Sequence, residues 1–160
     1  HLGVYSEPGH GSTFKLYLPT VALPVAAVPS ERPAEPPAGT ETVLVVEDDD
    51  AVRVFTEAVL NAAGYEVLTA SNGAEALELA RSTPRTIHLL MSDVVMPVLG
   101  GHALAEQMRS IHPEARVLFT SGYTPEAVSR KGIAIPSACF LRKPYSPAAV
   151  CRKIRGILDR

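Results

Sequence analysis

Four short apolar runs of this chain each end in residues able to bind a cation or handle a phosphoryl group. They are Val43-Leu44-Val45-Val46 before Glu47-Asp48, Leu89-Leu90-Met91 before Ser92-Asp93, Val117-Leu118-Phe119 before Thr120-Ser121, and Phe140-Leu141 before Arg142-Lys143-Pro144. Buried parallel strands read as continuous apolar runs, and open α/β sheets carry their chemistry at the carboxyl ends of their strands. If these runs are such strands, three carboxylates, a hydroxyl and a lysine meet at one edge. That set suits a divalent cation beside a phosphoryl group.

Each residue also has a plainer reading. Glu47 and Asp48 end a strand that should be interior, so solvation alone does not explain them. Two adjacent carboxylates repel unless a cation sits between them, and hard oxygen ligands with room for water favour Mg²⁺. Complementing a helix dipole is the alternative for acids here, and it suits Asp49 and Asp50 better. Asp93 ends the central run and is followed by Val94-Val95-Met96-Pro97, with no second acid. With a metal and a lysine beside it, such a carboxylate can serve as the nucleophile that accepts a phosphoryl group. Lys143 would supply a fixed positive charge on a flexible stem, although alone it reads as a surface lysine before a turn proline. Ser121 can donate to a phosphoryl oxygen, although alone it is a strand-end serine before Gly122. The order of the four parts is what carries the reading.

The elements that must position them follow from periodicity. Asp50 is placed to cap a helix in which Val52, Phe55, Val59, Leu60 and Ala63 recur at three- and four-residue spacing, and Gly64 ends it. Glu66-Val67-Leu68-Thr69 reads as a short strand, and Asn72-Gly73 opens a helix with Ala76, Leu77 and Ala80 on one face. Strands over 87–92 and 115–120 flank a helix through Leu104 and Met108. A shorter helix is expected from about Thr124. The last strand lies near Cys139, and Ser146-Pro147 then starts a helix whose Val150, Ile154, Ile157 and Leu158 face inward. Five strands alternating with five helices predict an α/β fold, a parallel sheet with helices on both faces.

Composition bounds the rest. The chain has 160 residues, 46% hydrophobic and 20% charged, with a formal net charge of −2. Nothing there points to nucleic acid or a membrane as partner. Cys139 and Cys151 are too few for a disulfide framework, so a reducing cytoplasm is expected. Residues 21–40 are rich in Pro and Ala and read as a semi-rigid linker. Before it, residues 1–20 contain a strand-like run at Phe14–Leu18, whose unpaired edges would favour weak self-association, giving a monomer or weak dimer. A chain that starts on His1 is expected to be a piece of something longer.

At Val45-Val46-Glu47-Asp48-Asp49, Ser92-Asp93-Val94-Val95-Met96-Pro97 with Gly101, Thr120-Ser121-Gly122-Tyr123 and Leu141-Arg142-Lys143-Pro144-Tyr145, residues 41–160 resemble the receiver domain of two-component response regulators. The resemblance implies a flavodoxin-like five-stranded sheet of order 2-1-3-4-5. It implies Asp93 as phosphoacceptor, with Mg²⁺ held by Glu47, Asp48, Asp93 and the main-chain carbonyl of Val95. It also implies phosphoryl contacts from Ser121 and Lys143, switching through Ser121 and Phe140, and a cis Lys143–Pro144 bond. Three departures stand out. Glu47 replaces the more usual Asp, Phe140 replaces the frequent Tyr, and Val95 with Tyr123 occupy the two positions that tune hydrolysis. The last pair predicts slow loss of phosphate, since neither side chain orients a water.

The segment Tyr5-Ser6-Glu7-Pro8-Gly9-His10-Gly11-Ser12-Thr13-Phe14-Lys15-Leu16-Tyr17-Leu18-Pro19 resembles the end of a sensor histidine kinase ATP-binding domain, without the rest of its nucleotide site. Together the two resemblances imply a hybrid histidine kinase carrying a C-terminal receiver. The phosphodonor would be the kinase phosphohistidine and the output a histidine phosphotransfer protein or the kinase itself, since no effector is expected after Arg160. Any catalysis would be the receiver's own phosphorylation and dephosphorylation. Two competitors remain: a pseudo-receiver that binds partners without being phosphorylated, and an aspartyl-phosphate hydrolase of the haloacid dehalogenase type. The hydrolase wants a second Asp where Val95 stands.

Overall fold

A computed structural model of the chain describes residues 1–19, 38–124 and 135–160. The chain divides into two compact units, residues 1–32 and 33–160.

In the first unit, β1 (Leu2–Glu7) and β2 (Gly11–Leu16) form an antiparallel hairpin. The turn between them uses Gly9 and Gly11 at positive φ, 81° and 88°, where a side chain would be strained. The pairs Leu2–Leu16 and Val4–Phe14 put four large apolar side chains on one face, all of them exposed. The sequence reading anticipated only the second of these strands. Most of the expected linker, residues 21–37, lies outside the described residues.

In the second unit, five parallel strands take the order β4-β3-β5-β6-β7. They are β3 (Thr42–Val46), β4 (Glu66–Ala70), β5 (Leu89–Asp93), β6 (Arg116–Ser121) and β7 (Phe140–Arg142). Counted within this unit the order is 2-1-3-4-5, as predicted. The helices are α1 (Asp50–Ala62), α2 (Gly73–Ser82), α3 (Gly101–Ile111) and α4 (Pro147–Leu158). The helix expected from about Thr124 falls on residues 125–134, outside the described residues.

Strand alternation divides the core in two. Leu44, Val46, Leu90, Phe119 and Phe140 face α2 and α3, meeting Ala76, Leu77, Ala80, Leu104 and Met108. Val43, Val45, Leu89, Met91 and Leu118 face the other way, onto Leu60 of α1 and Val150, Cys151 and Ile154 of α4. Both cysteines are free, and burial pushes the Cys151 thiol pKa up. No helix among the described residues is long and apolar enough to cross a membrane.

Two details of α1 differ from the sequence reading. Its cap is Asp49, whose carboxylate accepts the Ala51 and Val52 N–H groups, and Asp50 instead sits in the first turn. The inward face carries Thr56 rather than Phe55, which is 42% exposed. Thr56 is tolerated inside because its hydroxyl donates to the Val52 carbonyl and meets the Tyr145 hydroxyl at 3.1 Å. The caps of α2 and α4 are Asn72 and Ser146, as predicted.

The far end of the sheet is tied by an ion pair. Arg155 of α4 lies 2.7 Å from Glu41, with both side chains about four-fifths buried, and also bonds Asp159. The Arg155 hydrogen bond holds the Glu41 carboxyl down at about 2. A carboxyl lowered by folding adds stability above its ordinary pKa, and that stability is lost as pH falls through the folded value. Glu41→Gln should therefore destabilise the protein by about 1 kcal/mol near neutral pH, after allowing for solvent screening. The gap to the parent in urea midpoint should close between about pH 4.5 and pH 2. A gap that persists unchanged at the acid end would mean that packing, not charge, carries the contact.

Candidate functional site

The carboxyl ends of β3, β5, β6 and β7 bring the predicted residues to one edge. Glu47 prolongs β3 by donating its N–H to the Ala70 carbonyl. The Glu47 main chain is therefore held against the sheet, and the residue is only 4% exposed. Asp48 is exposed and makes no side-chain hydrogen bond or ion pair among the described residues. Asp93 ends β5 beside Thr120 of β6, and Ser121 ends β6 beside Arg142 of β7. The chain then turns through Lys143, whose N–H donates to the Ser121 carbonyl at 2.8 Å, and the Lys143–Pro144 peptide is cis.

Lys143 lies at the centre. Its Nζ is 2.5 Å from both Glu47 Oε2 and Asp93 Oδ2. Burial pushes the Glu47 carboxyl pKa up, Lys143 pulls part of this back, and the Asp93 charge adds to the rise. For Lys143, burial alone would lower the pKa, but hydrogen bonds and charges from Asp93 and Glu47 outweigh it and the net shift is upward. The ammonium is thus kept charged by the acids it bridges. The other Asp93 oxygen, Oδ1, accepts the Val95 N–H at 3.0 Å, which fixes the rotamer of the carboxylate.

One close approach supports this geometry. A Cβ built on Gly101, the first residue of α3, would lie 2.1 Å from the Asp93 carbonyl oxygen and 2.7 Å from Ser92 Oγ. The helix start can press on the end of β5 only because the residue is glycine. The loop between them carries Val98 at a φ of 66°, a strained conformation for a β-branched residue.

The remaining predicted residues are placed as follows. Ser121 is buried, and its hydroxyl accepts the Tyr123 N–H at 3.1 Å rather than bonding Asp93 or Lys143. Phe140 already points inward, 8% exposed, in the core facing α2 and α3. Val95 and Tyr123 are both about half exposed. Sequence reasoning missed Gly101 as a spacer and Arg53 as a contact of the acidic turn. The Arg53 Nη1 donates to the Glu47 carbonyl at 2.8 Å, and its Nη2 pairs with Asp50. Its signal was present, one helical turn into α1, but a basic residue there reads as surface.

The residues fit a small divalent cation. Glu47, Asp48 and Asp93 each offer a carboxylate oxygen within 4.8 Å of the others. Three hard anionic donors, with Asp48 facing water, are the ligand type that Mg²⁺ prefers.

The fold and this edge define a class, and the sequence comparison states it: the chain belongs to the response regulator receiver domain family, whose model matches residues 43–155. Particular relatives extend the match. The sensor kinase CckA of Brucella abortus (strain 2308) is 36% identical over 163 residues, covering 97% of this chain and 17% of that protein. The receiver protein CpdR of the same organism is 33% identical over 116 residues, covering 72% of this chain and 95% of CpdR. Among solved structures, the receiver domain of the hybrid histidine kinase CckA is 38% identical with a TM-score of 0.61, covering 73% of this chain and 98% of that one. Chemotaxis response regulator CheY4 of Vibrio cholerae gives a TM-score of 0.65 at 29% identity, covering 74% of this chain and 99% of that one.

Proposed function

We propose that residues 41–160 are a phosphoacceptor receiver in a two-component phosphorelay, with Asp93 as the residue phosphorylated. The observation that carries this is the Asp93 carboxylate held between the Val95 N–H and Lys143, at the same sheet edge as Glu47 and Asp48. In this reading the Asp93 oxygen that faces Lys143, Oδ2, attacks the phosphorus of a phosphohistidine in line. The new O–P bond forms as the N–P bond breaks, and the departing imidazole keeps the electron pair and takes up a proton. Glu47, Asp48, Asp93 and the Val95 carbonyl would hold Mg²⁺, which when bound would neutralise charge on the phosphoryl oxygens. Lys143 exchanges one carboxylate contact for a phosphoryl oxygen. Ser121 leaves the Tyr123 N–H to follow the phosphoryl group, and the Phe140 ring responds to that movement.

The wider assignment is part of the same proposal. Residues 1–20 are the end of a histidine kinase ATP-binding domain, residues 21–40 a linker, and the parent a hybrid kinase whose receiver works in the cytoplasm. The sensor kinase alignment over 97% of the chain supports this, since it extends beyond the receiver. Partners are the kinase phosphohistidine and a histidine phosphotransfer protein.

Incubation with Mg²⁺ and acetyl phosphate tests the reading by intact mass. A gain of one phosphoryl group that EDTA prevents is expected. Failure to gain it from acetyl phosphate and from the kinase, in a folded protein, would favour the pseudo-receiver. Slow hydrolysis is expected of the phosphorylated form, because Val95 cannot hydrogen-bond an attacking water. Val95→Asn should shorten its lifetime by about tenfold, the worth of one hydrogen bond to the attacking water. An unchanged lifetime would sink that account.

A further inference from the structure

We infer that Arg53 is a positioning residue for the cation site, acting through the main chain of the turn that carries two of its three acids. This inference rests on the Mg²⁺ reading above and concerns a residue that the reading gives no role. Arg53 is 19% exposed although it lies in the first turns of a surface helix. Its guanidinium spans the Glu47–Asp50 turn from both ends. Nη1 donates to the Glu47 carbonyl at 2.8 Å, Nη2 pairs with the Asp50 carboxylate, and the Arg53 N–H bonds the Asp49 carbonyl at 2.9 Å.

The turn needs such a clamp because of Asp48. No hydrogen bond or ion pair orients that carboxylate among the described residues, so backbone dihedrals alone aim it. Asp49 fixes the helix start and the Ala70 carbonyl fixes Glu47 N–H, but neither reaches the peptide between Glu47 and Asp48. Arg53 does, at the Glu47 carbonyl oxygen. A planar fork with two donors suits one task at each end, which a lysine cannot match.

Charge alone argues for the opposite effect, and this makes the inference testable. A cation beside an acidic metal site repels Mg²⁺, so a purely electrostatic Arg53 would weaken binding and its removal would tighten it. Asp50 pairs with the guanidinium and cancels most of that repulsion. What remains is geometry. Residues that orient metal ligands from outside the coordination shell are worth about tenfold or more in metal affinity.

Calorimetric Mg²⁺ titration of the full chain and of Arg53→Met measures this directly. The expected result is Mg²⁺ affinity weakened by about tenfold, despite the loss of a positive charge. The acetyl phosphate reaction should recover nearly its full rate at saturating Mg²⁺, because Asp93 and Lys143 are untouched. A merely structural role would lower the melting temperature without moving the Mg²⁺ midpoint of the folded protein. If Arg53→Met fails to fold, Arg53→Lys keeps the charge and loses the fork. It should still weaken Mg²⁺ binding, by about threefold. Unchanged or tighter binding in the folded variant would overturn the inference. A parent protein that binds no Mg²⁺ would overturn the cation reading instead, so the two failures are distinguishable.

Discussion

An Asp93→Asn variant is expected to take up no phosphoryl group while keeping its fold. On the proposed reading the reacting carboxylate oxygen is the one facing Lys143, and the amide offers no comparable nucleophile. Loss of the attacking group in a preorganised site costs on the order of 10³-fold or more. The fold should survive because Asn Oδ1 can still accept the Val95 N–H, and Lys143 retains Glu47 as partner. Removing the Asp93 charge also relieves repulsion on buried Glu47, which the Asp93 charge helps to push up. These gains oppose loss of the Asp93–Lys143 pair, so stability should change by about 1 kcal/mol or less. Intact mass with acetyl phosphate and Mg²⁺, beside a urea melt, checks both. A phosphoryl gain that persists in the variant would move the acceptor to another residue.

Gly101→Ala is expected to destabilise the protein by about 3 kcal/mol, at the upper end for overpacking. Helix propensity alone predicts the opposite, since Ala is favoured over Gly by about 1 kcal/mol in a helix. The contact decides. A Cβ at Gly101 meets the Asp93 carbonyl oxygen at 2.1 Å and Ser92 Oγ at 2.7 Å, and the first of these is backbone that cannot rotate away. Relief requires α3 to lift from β5, taking the Asp93 main chain with it. The same variant should therefore accept phosphoryl groups more slowly even when folded. A urea midpoint at or above that of the parent would show that the helix start has slack.

The strands were readable because both faces of this sheet are covered. Val43–Val46 and Leu89–Met91 are buried on both sides, and each ran as an unbroken apolar stretch. The caps at Asn72 and Ser146 were readable because a capping side chain answers to N–H groups two or three residues away. The cap of α1 was misread by one position because Asp48, Asp49 and Asp50 all have the right chemistry, and only the backbone at Asp49 chooses among them. The hairpin strand Leu2–Glu7 was missed because it has no buried face, so its alternation is interrupted by Gly3 and Ser6 without penalty.

The site divides in the same way. The sequence by itself determined the inventory: Glu47, Asp48, Asp93, Ser121 and Lys143, each at the end of an apolar run, and the sheet that gathers them. Those are properties of residue type and local period, which survive in one dimension. Only the tertiary structure decided that Lys143 bridges Glu47 and Asp93, that Ser121 turns to the Tyr123 N–H, and that Phe140 lies in the core. It alone placed Gly101 and Arg53 against the segments that carry these residues, one by the space it leaves beside Asp93 and the other by the carbonyl it reaches. A glycine spacer and a long-range donor act through distances between elements, and spacing along the chain does not encode those distances.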